Sequence, residues 1–239
     1  MILALRSTAF NALFFGGTAV LCLALWPGLV LRGPHLAALG RLWARYALWV
    51  LRLAIGLDHE VRGGENRIPG AAIYAAKHQS AWETIAFFLL LDGPVYVLKA
   101  ELLFIPIIGW YLRRAGMIAV DRAGGASALR AMLAGAELRA QEGRPIVIFP
   151  EGTRTAPGAS RPYHPGIAAL YARLGLPVVP VALDSGSFWP RRGFRKRPGT
   201  IVIEFLEPIA PGLEREVFSS TLRTRIEGAC ARLSAGVRA

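Results

Sequence analysis

Short apolar runs recur along the chain after residue 63, and polar or helical segments separate them. The runs are rich in valine and isoleucine with little polar alternation, which is typical of strands covered on both faces. This alternation predicts an α/β fold with a mixed, mostly parallel sheet flanked by helices. The expected strands are Ala71–Ala75, Val95–Leu98, Met117–Val120, Ile146–Phe149, Val178–Leu183 and Ile201–Phe205. The expected helices are Trp82–Leu91, Ile107–Arg114, Ala126–Glu142, Pro165–Leu174 and a C-terminal helix from Leu213.

The first 57 residues have a different pattern. Residues 7–31 carry no charge, and this run exceeds the roughly 20 apolar residues that span a bilayer. The pairs Gly16-Gly17 and Pro27-Gly28 weaken it as one straight helix. A cleavable signal peptide is the alternative, but the run is too long and its charged start is a single arginine, Arg6.

A second apolar segment, residues 36–57, carries Arg41, Arg45 and Arg52 within about 40° of one another on a helix. Such a stripe is typical of a helix in the membrane interface, although a helix packed on the catalytic domain with a solvated arginine edge fits as well. We therefore expect an N-terminal membrane-associated helical segment at 1–57 and a catalytic domain at 58–239. Deletion of 1–57 is expected to release the protein into the soluble fraction.

Composition supports a membrane surface as the partner. The chain has 28 basic and 16 acidic residues, a formal charge of +12, and 54% hydrophobic residues, with a mean hydropathy of +0.40. A basic and apolar chain without a recognition motif favours anionic lipid over nucleic acid. Cys22 and Cys230 are far apart in apolar stretches and are expected to be buried, inert thiols. No Cys/His cluster has ligand spacing, so no metal is expected.

The candidate chemistry begins where the first expected strand ends. His78 follows that strand, and Glu83 comes five residues later, in the first turn of the next helix. A carboxylate there can bind one imidazole nitrogen and leave the other free to accept a proton. The alternative is a chance histidine in a loop. Ser80 lacks the Gly-x-Ser-x-Gly turn of a nucleophilic serine.

A second polar cluster follows another strand, at Phe149-Pro150-Glu151-Gly152-Thr153-Arg154. Arg154 can bind a phosphate through two N–H groups, Gly152 permits close backbone approach, and Thr153 offers a hydroxyl and an N–H. Glu151 suits a substrate hydroxyl, so a glycerol phosphate would use both groups. A surface turn with an ion pair is the alternative. Lys77 and the pair Asp121-Arg122 also follow strands and are expected on the same rim.

These residues carry a resemblance to the 1-acyl-sn-glycerol-3-phosphate acyltransferases, the glycerolipid acyltransferases that convert lysophosphatidic acid to phosphatidic acid. Four sequence blocks of that family occur in order within residues 58–210. The chain departs from the usual His-x4-Asp block, because Glu83 stands where aspartate is usual. The matching blocks are 78–83, 116–122, 149–154 and the apolar strand 179–183.

The resemblance implies an acyl thioester donor, either acyl-CoA or acyl carrier protein, a lysophospholipid acceptor and no other cofactor. His78 would take the proton of the sn-2 hydroxyl, and Glu83 would hold the imidazole. Lys77, Arg122 and Arg154 would bind the phosphate. Backbone N–H groups near Gly152 or near Gln79-Ser80 would stabilise the oxyanion. The location implied is the cytoplasmic (inner) membrane, with the catalytic domain on its cytoplasmic face.

Two questions stay open on sequence alone. The loop 188–197 packs five cations between 191 and 197, and it is either a solvated charge run, a membrane contact or a landing site for an acidic donor. The acceptor could also be another lysolipid, such as a lyso-ornithine lipid or lysophosphatidylglycerol. A non-catalytic protein that binds phospholipid headgroups is the rival of a different class.

Overall fold

One seven-stranded sheet is formed by the residues that the computed structural model describes, 1–30, 34–121 and 123–236. The strands are β1 Leu57–Arg62, β2 Ile73–Ala76, β3 Val95–Lys99, β4 Ile118–Val120, β5 Ile146–Ile148, β6 Val178–Leu183 and β7 Gly199–Phe205. Their order is β1-β7-β6-β2-β5-β3-β4. All pairings are parallel except β6 with β7, which is antiparallel. This confirms the mixed, mostly parallel sheet.

Helices cover both faces of the sheet, as expected for strands without polar alternation. One core packs the sheet against α5, α6 and α7, and the other packs it against α2 and α3. The five helices expected after residue 63 are present with ends shifted by one or two residues. The helices are α1 Ile2–Ala24, α2 Pro34–Ile55, α3 Trp82–Leu90, α4 Ile108–Arg114, α5 Gly125–Gln141, α6 Gly166–Leu174 and α7 Arg215–Gly236.

The two N-terminal helices differ in burial. Within the described residues, α1 alone is long and apolar enough to cross a bilayer, and only 11% of its most apolar window is buried. Helix α2 instead buries Val50, Leu51 and Ile55 in the core beside α3. Its outer face keeps Trp49 and Arg52 exposed. This packing supports the interpretation of α2 as a helix packed on the catalytic domain with a solvated edge, and contact of α2 with a membrane stays a prediction. A chain lacking 1–57 would lose this packing, which revises the expectation that it would be soluble. The domain boundary at 57 stays a prediction.

The order of the strands places the functional residues. Strands β6, β2 and β5 are neighbours and parallel, so their carboxyl ends lie side by side at one edge of the sheet. The segments that leave this edge begin at Lys77, Phe149 and Asp184. The blocks 78–83 and 149–154 are thereby brought together, and the segment from Asp184 adds residues that the motifs did not include.

Candidate active site

His78 and Glu83 form a direct hydrogen bond. Nδ1 of His78 lies 2.9 Å from Oε1 of Glu83. The loop from β2 to α3 places the imidazole at the exit of the strand, and the first turn of α3 places the carboxylate under it. Because Nδ1 is engaged, the other ring nitrogen, Nε2, is the one available to a substrate proton.

The Glu83 carboxylate is fully buried and is held by five donors. Oε1 also accepts the backbone N–H groups of Gln79 and Ser80, each at 2.7 Å. Oε2 accepts the hydroxyls of Ser80 at 2.8 Å and Ser185 at 2.7 Å. Burial raises the pKa of this carboxyl, but the hydrogen bond and charge of His78, together with Ser80 and Ser185, lower the pKa below its usual value overall. The carboxyl is therefore ionised and lies against Nδ1 of the imidazole.

Ser185 is a residue that the sequence motifs did not indicate. It follows β6 and lies 102 positions from the carboxylate it binds, so no local spacing links the two. Ser80 is buried, and its hydroxyl oxygen accepts the N–H of Trp82 at 2.9 Å. Ser80 therefore positions Glu83 and the start of α3, consistent with its exclusion as a nucleophile.

The imidazole plane is fixed by an aromatic stack. The rings of His78 and Phe149 lie 4.0 Å apart at 19°, and Phe149 stacks on Tyr96 at 6.4 Å. Phe149 begins the loop that carries the second polar cluster. The stack therefore ties the orientation of the base to the position of that loop.

His78 opens on a large, mainly apolar cavity of about 1710 Å³. The polar groups of its wall include Arg154, Gly152 and Thr153 near the histidine. The apolar wall extends away from them and includes Trp43, Phe88, Leu98, Tyr111, Leu112 and Met132. A base, a cation and an apolar channel share one space, and this combination suits an amphiphilic substrate.

Arg154 is the cation best placed for an anionic substrate. Burial lowers the pKa of its guanidinium, while the charge of Glu83 raises it. Its own carbonyl accepts a hydrogen bond from Arg191 at 3.0 Å. Its guanidinium has no hydrogen-bond acceptor among the described residues. Gly152 adopts a positive φ of 63°, a conformation that favours glycine, and this turn directs the next two residues to the cavity.

Lys77 and Glu151 do not line this cavity. The Lys77 side chain is 1% exposed, and its Nζ lies 2.8 Å from Glu151 and 2.9 Å from Glu227 of α7. Tyr163 donates to the same Glu227 at 3.0 Å, and Oε2 of Glu151 is buried without a partner in the described chain. Lys77 and Glu151 therefore belong to a structural ion-pair cluster that joins the His78 loop, the Glu151 loop and α7. This burial contradicts the expectations that Lys77 binds phosphate and that Glu151 binds a substrate hydroxyl.

Two further expectations are affected by the geometry. The N–H groups of Gln79 and Ser80 are engaged by Glu83, which leaves the turn after Gly152 as the oxyanion candidate. In the described part of that turn, the N–H groups of Thr153 and Arg154 have no acceptor. Arg122 lies outside the described residues, so its expected role stays a prediction.

The basic loop 188–197 is only partly a solvated charge run. Lys196 is buried, and its Nζ donates to Asn11 of α1 at 2.8 Å. It also lies 5.2 Å from the ring of Phe10 and 5.4 Å from that of Trp189. Burial lowers the pKa of this lysine. The loop therefore fastens α1 to the domain, and Arg191 contributes to the cavity wall.

Metal ligands and reactive thiols are not evident in the parts of the chain that the structure covers. No group of three or more His, Cys, Asp or Glu side chains could hold a metal ion within 1–30, 34–121 and 123–236, and the expected absence of a metal stays a prediction. Cys230 is buried, and burial raises the pKa of its thiol to about 12, so it is inert as expected. Cys22 is only half-buried and lines the cavity, so the expectation that it is buried is wrong.

Comparison with known proteins identifies relatives over much of the chain. Residues 58–184 match the family model described as "Acyltransferase". A 1-acyl-sn-glycerol-3-phosphate acyltransferase of Pseudomonas aeruginosa is 38% identical over 161 residues, which are 67% of this chain and 63% of that protein. The enzyme of the same name from Saccharomyces cerevisiae is 31% identical over 70% of this chain and 56% of its own. The chain thus spans less than two thirds of the length of these relatives.

Two other matches bear on substrate and fold. A lyso-ornithine lipid O-acyltransferase of Pseudomonas aeruginosa is 30% identical over 185 residues, 70% of each chain. The crystal structure of a lysophosphatidic acid acyltransferase from Thermotoga maritima superposes with a TM-score of 0.70 at 22% identity, and covers 98% of this chain and 95% of that one. At this identity the likeness establishes the fold.

Proposed function

The chain belongs to the Acyltransferase family, and we propose that it transfers an acyl chain from an acyl thioester to the sn-2 hydroxyl of 1-acyl-sn-glycerol 3-phosphate. The product would be phosphatidic acid. One observation carries the proposal: His78, paired with Glu83, and Arg154 line the same apolar cavity. The Arg154 guanidinium has no hydrogen-bond acceptor among the described residues. The names of several relatives support this acceptor.

The first step is attack by the acceptor hydroxyl on the thioester carbonyl. Nε2 of His78 takes the hydroxyl proton as the new C–O bond forms, and the imidazolium is stabilised by Glu83 through Nδ1–H. Arg154 holds the phosphate and so places the hydroxyl beside His78. The nucleophile belongs to the substrate, and no acyl-enzyme forms.

The second step is collapse of the tetrahedral intermediate. The N–H groups of Thr153 and Arg154 are the donors proposed for the oxyanion. The C–S bond then breaks, and the thiolate leaves with the proton that the His78 imidazolium returns. The histidine is neutral again at the end of the cycle, so the charges and protons balance.

The donor and the location belong to the same proposal. Acyl-CoA or acyl carrier protein supplies the thioester, and no further cofactor takes part. The exposed apolar α1 supports association with a membrane. We place the protein at the inner membrane with its active site on the cytoplasmic face, because soluble thioester donors are made there.

The test of the base uses purified protein and a second histidine as control. His164 lines the same cavity but has no carboxylate partner in the described residues. His78→Ala should lower kcat about a thousandfold with the fold intact by circular dichroism, whereas His164→Ala should retain most activity. Equal losses in the two variants would contradict the assignment of His78.

The acceptor assignment is tested separately. Arg154→Ala removes charge-assisted bonds to the phosphate, and should raise the apparent KM for lysophosphatidic acid about tenfold or more. The KM for the acyl donor should change much less. Arg139→Ala, on the same cavity wall but paired with Glu142, is the matched control. An unchanged acceptor KM in Arg154→Ala would exclude phosphate binding there.

A second acceptor has one observation in its favour, the 30% identical lyso-ornithine lipid O-acyltransferase, of which the match covers 70%. The assay should therefore compare lysophosphatidic acid, lysophosphatidylglycerol and a lyso-ornithine lipid with both donor types. Preference for the lyso-ornithine lipid would replace the proposed acceptor and keep the chemistry. No turnover with any pair, but binding of lysolipid, would favour the non-catalytic headgroup binder.

A further inference from the structure

Five large apolar side chains are exposed within nine residues at the start of α4. They include Phe104, which is 78% exposed, and Trp110, which is 47% exposed. Exposed apolar residues usually occur singly on soluble proteins, and a contiguous group marks an interaction surface. We call this group the apolar lip; its members are Leu102, Phe104, Ile105, Ile108 and Trp110.

The backbone of the apolar lip is folded tightly on itself. Ile107 has a φ of 66°, a strained value for a β-branched residue. The N–H of Ile108 donates to Pro106 at 2.7 Å, and that of Gly109 donates to Ile105 at 2.8 Å. A side chain at Gly109 would collide with the Leu103 carbonyl. The strained turn pairs its polar groups internally while it directs apolar side chains outward, as a segment in hydrocarbon requires.

The apolar lip is continuous with the exposed end of the N-terminal helix. The rings of Trp110 and Trp26 lie 4.6 Å apart in an edge-to-face contact. The Tyr111 hydroxyl donates to the carbonyl of Cys22 at 3.0 Å. Val30 and Leu23 nearby are also highly exposed. The two apolar surfaces therefore form one patch, contributed by segments about 80 positions apart.

Basic and aromatic residues border this patch. The Arg113 guanidinium lies 5.7 Å from the centre of the Phe104 ring. Lys99, just before the lip, is exposed and paired with the exposed Glu101, so Arg113 is the cation that faces the patch. Tryptophan and arginine are enriched where a protein surface meets lipid headgroups. The net charge of +12 favours an anionic partner. Because the centre of the patch is apolar, that partner is an anionic bilayer and not an acidic protein.

We propose that the apolar lip is a second membrane-inserting element, which enters an anionic bilayer beside α1. Leu102 and Ile108 also line the large cavity that His78 faces. The inserted lip would therefore bring the cavity wall to the acyl region of the membrane. This last consequence rests on the proposed function, while the insertion itself does not.

Depth in the bilayer is the direct test. A cysteine at position 104, in full-length protein with Cys22→Ala and Cys230→Ala, is labelled with an environment-sensitive fluorophore. The protein is bound to vesicles of phosphatidylglycerol and phosphatidylethanolamine with nitroxides in the acyl chains. Val217, which is similarly exposed on α7, is the matched control position. We expect strong quenching at 104 and little at 217.

Equal quenching at positions 104 and 217 would overturn the proposal. If Phe104→Cys fails to fold, the same label at Leu102 gives the same comparison. A kinetic arm uses Phe104→Asp, which should lower the rate on vesicle-embedded acceptor about tenfold and leave the rate on short-chain, water-soluble substrates unchanged. Val217→Asp should alter neither rate. Quenching at position 104 without any acyl transfer would support insertion of the apolar lip and refute the proposed function. Acyl transfer without quenching at position 104 would support the proposed function and refute the insertion.

Discussion

Glu83 uses its two oxygens for different tasks. Oε1 binds the imidazole and two backbone N–H groups, and Oε2 binds the hydroxyls of Ser80 and Ser185. Glutamate stands where the resemblance implies aspartate, and its additional methylene is accommodated because the carboxylate reaches back from α3 beneath the whole 78–80 turn. The departure seen in the sequence is thus matched by a complete set of partners.

Ser185→Ala should lower kcat about tenfold with little change in the KM of either substrate. The reason is that a hydrogen bond to a buried charged group is worth about 1.5–3 kcal/mol, and its loss makes Glu83 a weaker stabiliser of the imidazolium. The measurement is steady-state kinetics with a pH profile. Ser187→Ala, two residues along the same turn, is the control. A wild-type kcat in Ser185→Ala would remove Ser185 from the catalytic arrangement.

Asp184, next to Ser185, gives a pH-dependent contribution to stability. Burial raises the pKa of its carboxyl from 3.8 to about 6, against the hydrogen bond it accepts from the Val202 N–H. The folded protein therefore binds more protons than the unfolded chain between these pH values. The contribution of Asp184 to the free energy of unfolding is largest below pH 3.8 and falls as pH rises to about 6.

Asp184→Asn should remove this dependence, because the amide keeps an acceptor for Val202 and cannot ionise. The free energy of unfolding of the variant, relative to that of the wild type, should rise by up to about 3 kcal/mol between pH 3.8 and about pH 6. Denaturant unfolding in detergent at several pH values measures the difference, and the opposite contribution of Glu83 cancels in it. A constant difference across the window would contradict the assignment.

Residue-level prediction succeeded where the partners are close in sequence. His78 and Glu83 lie within one turn, so their spacing indicated the pair. Lys77 was assigned to phosphate because its partner Glu227 lies 150 positions away, beyond any motif. Ser185 was missed for the same reason. Long-range partners decide whether a charged residue binds substrate or other parts of the fold, and one sequence does not reveal them.

At the scale of elements, apolar pattern predicted six strands and missed one. Strand β1, Leu57–Arg62, alternates charged and apolar residues and lies at the sheet edge beside β7. Polar residues are tolerated there because one side of an edge strand meets solvent. The sequence did not indicate that α2 would pack into the core beside α3, because its arginine stripe equally suited a helix in the membrane interface.

Two truncations separate the roles of α1 and α2. Deletion of residues 1–24 removes few buried residues, chiefly Ser7 and Phe10, so this chain should fold and show weaker membrane retention. Deletion of 1–57 also removes Val50 and Leu51 and so exposes the apolar core that they cover. This chain should therefore aggregate. Size-exclusion chromatography and vesicle sedimentation measure both outcomes. A monomeric, soluble chain lacking 1–57 would show that α2 is dispensable for the fold.

Across the whole molecule, the cavity links elements that are distant in sequence. Its wall combines residues of α1, α2, α3, α4 and α5 with the carboxyl ends of β3 and β5. No single segment has a pattern that indicates such a space, because each contributes apolar residues that would equally suit a filled core. The blocks 78–83 and 149–154 predicted the polar end of the site, and the apolar end follows only from the packing of the N-terminal helices on the sheet.

Both proposed substrates carry an acyl chain, and one cavity variant can show which chain lies there. Val97 of β3 lines the cavity, so Val97→Trp should shift the preferred length to shorter chains in whichever substrate places its chain against β3. The measurement is kcat/KM for a series of saturated donors and, separately, for a series of lysophosphatidic acids. Val202→Trp, half-buried on β7 outside the cavity, controls for a general loss of stability. Because Arg154 would hold the acceptor phosphate at the polar end of this cavity, we expect the acceptor series to shift and the donor series to stay, and the opposite result would place the donor chain in this cavity.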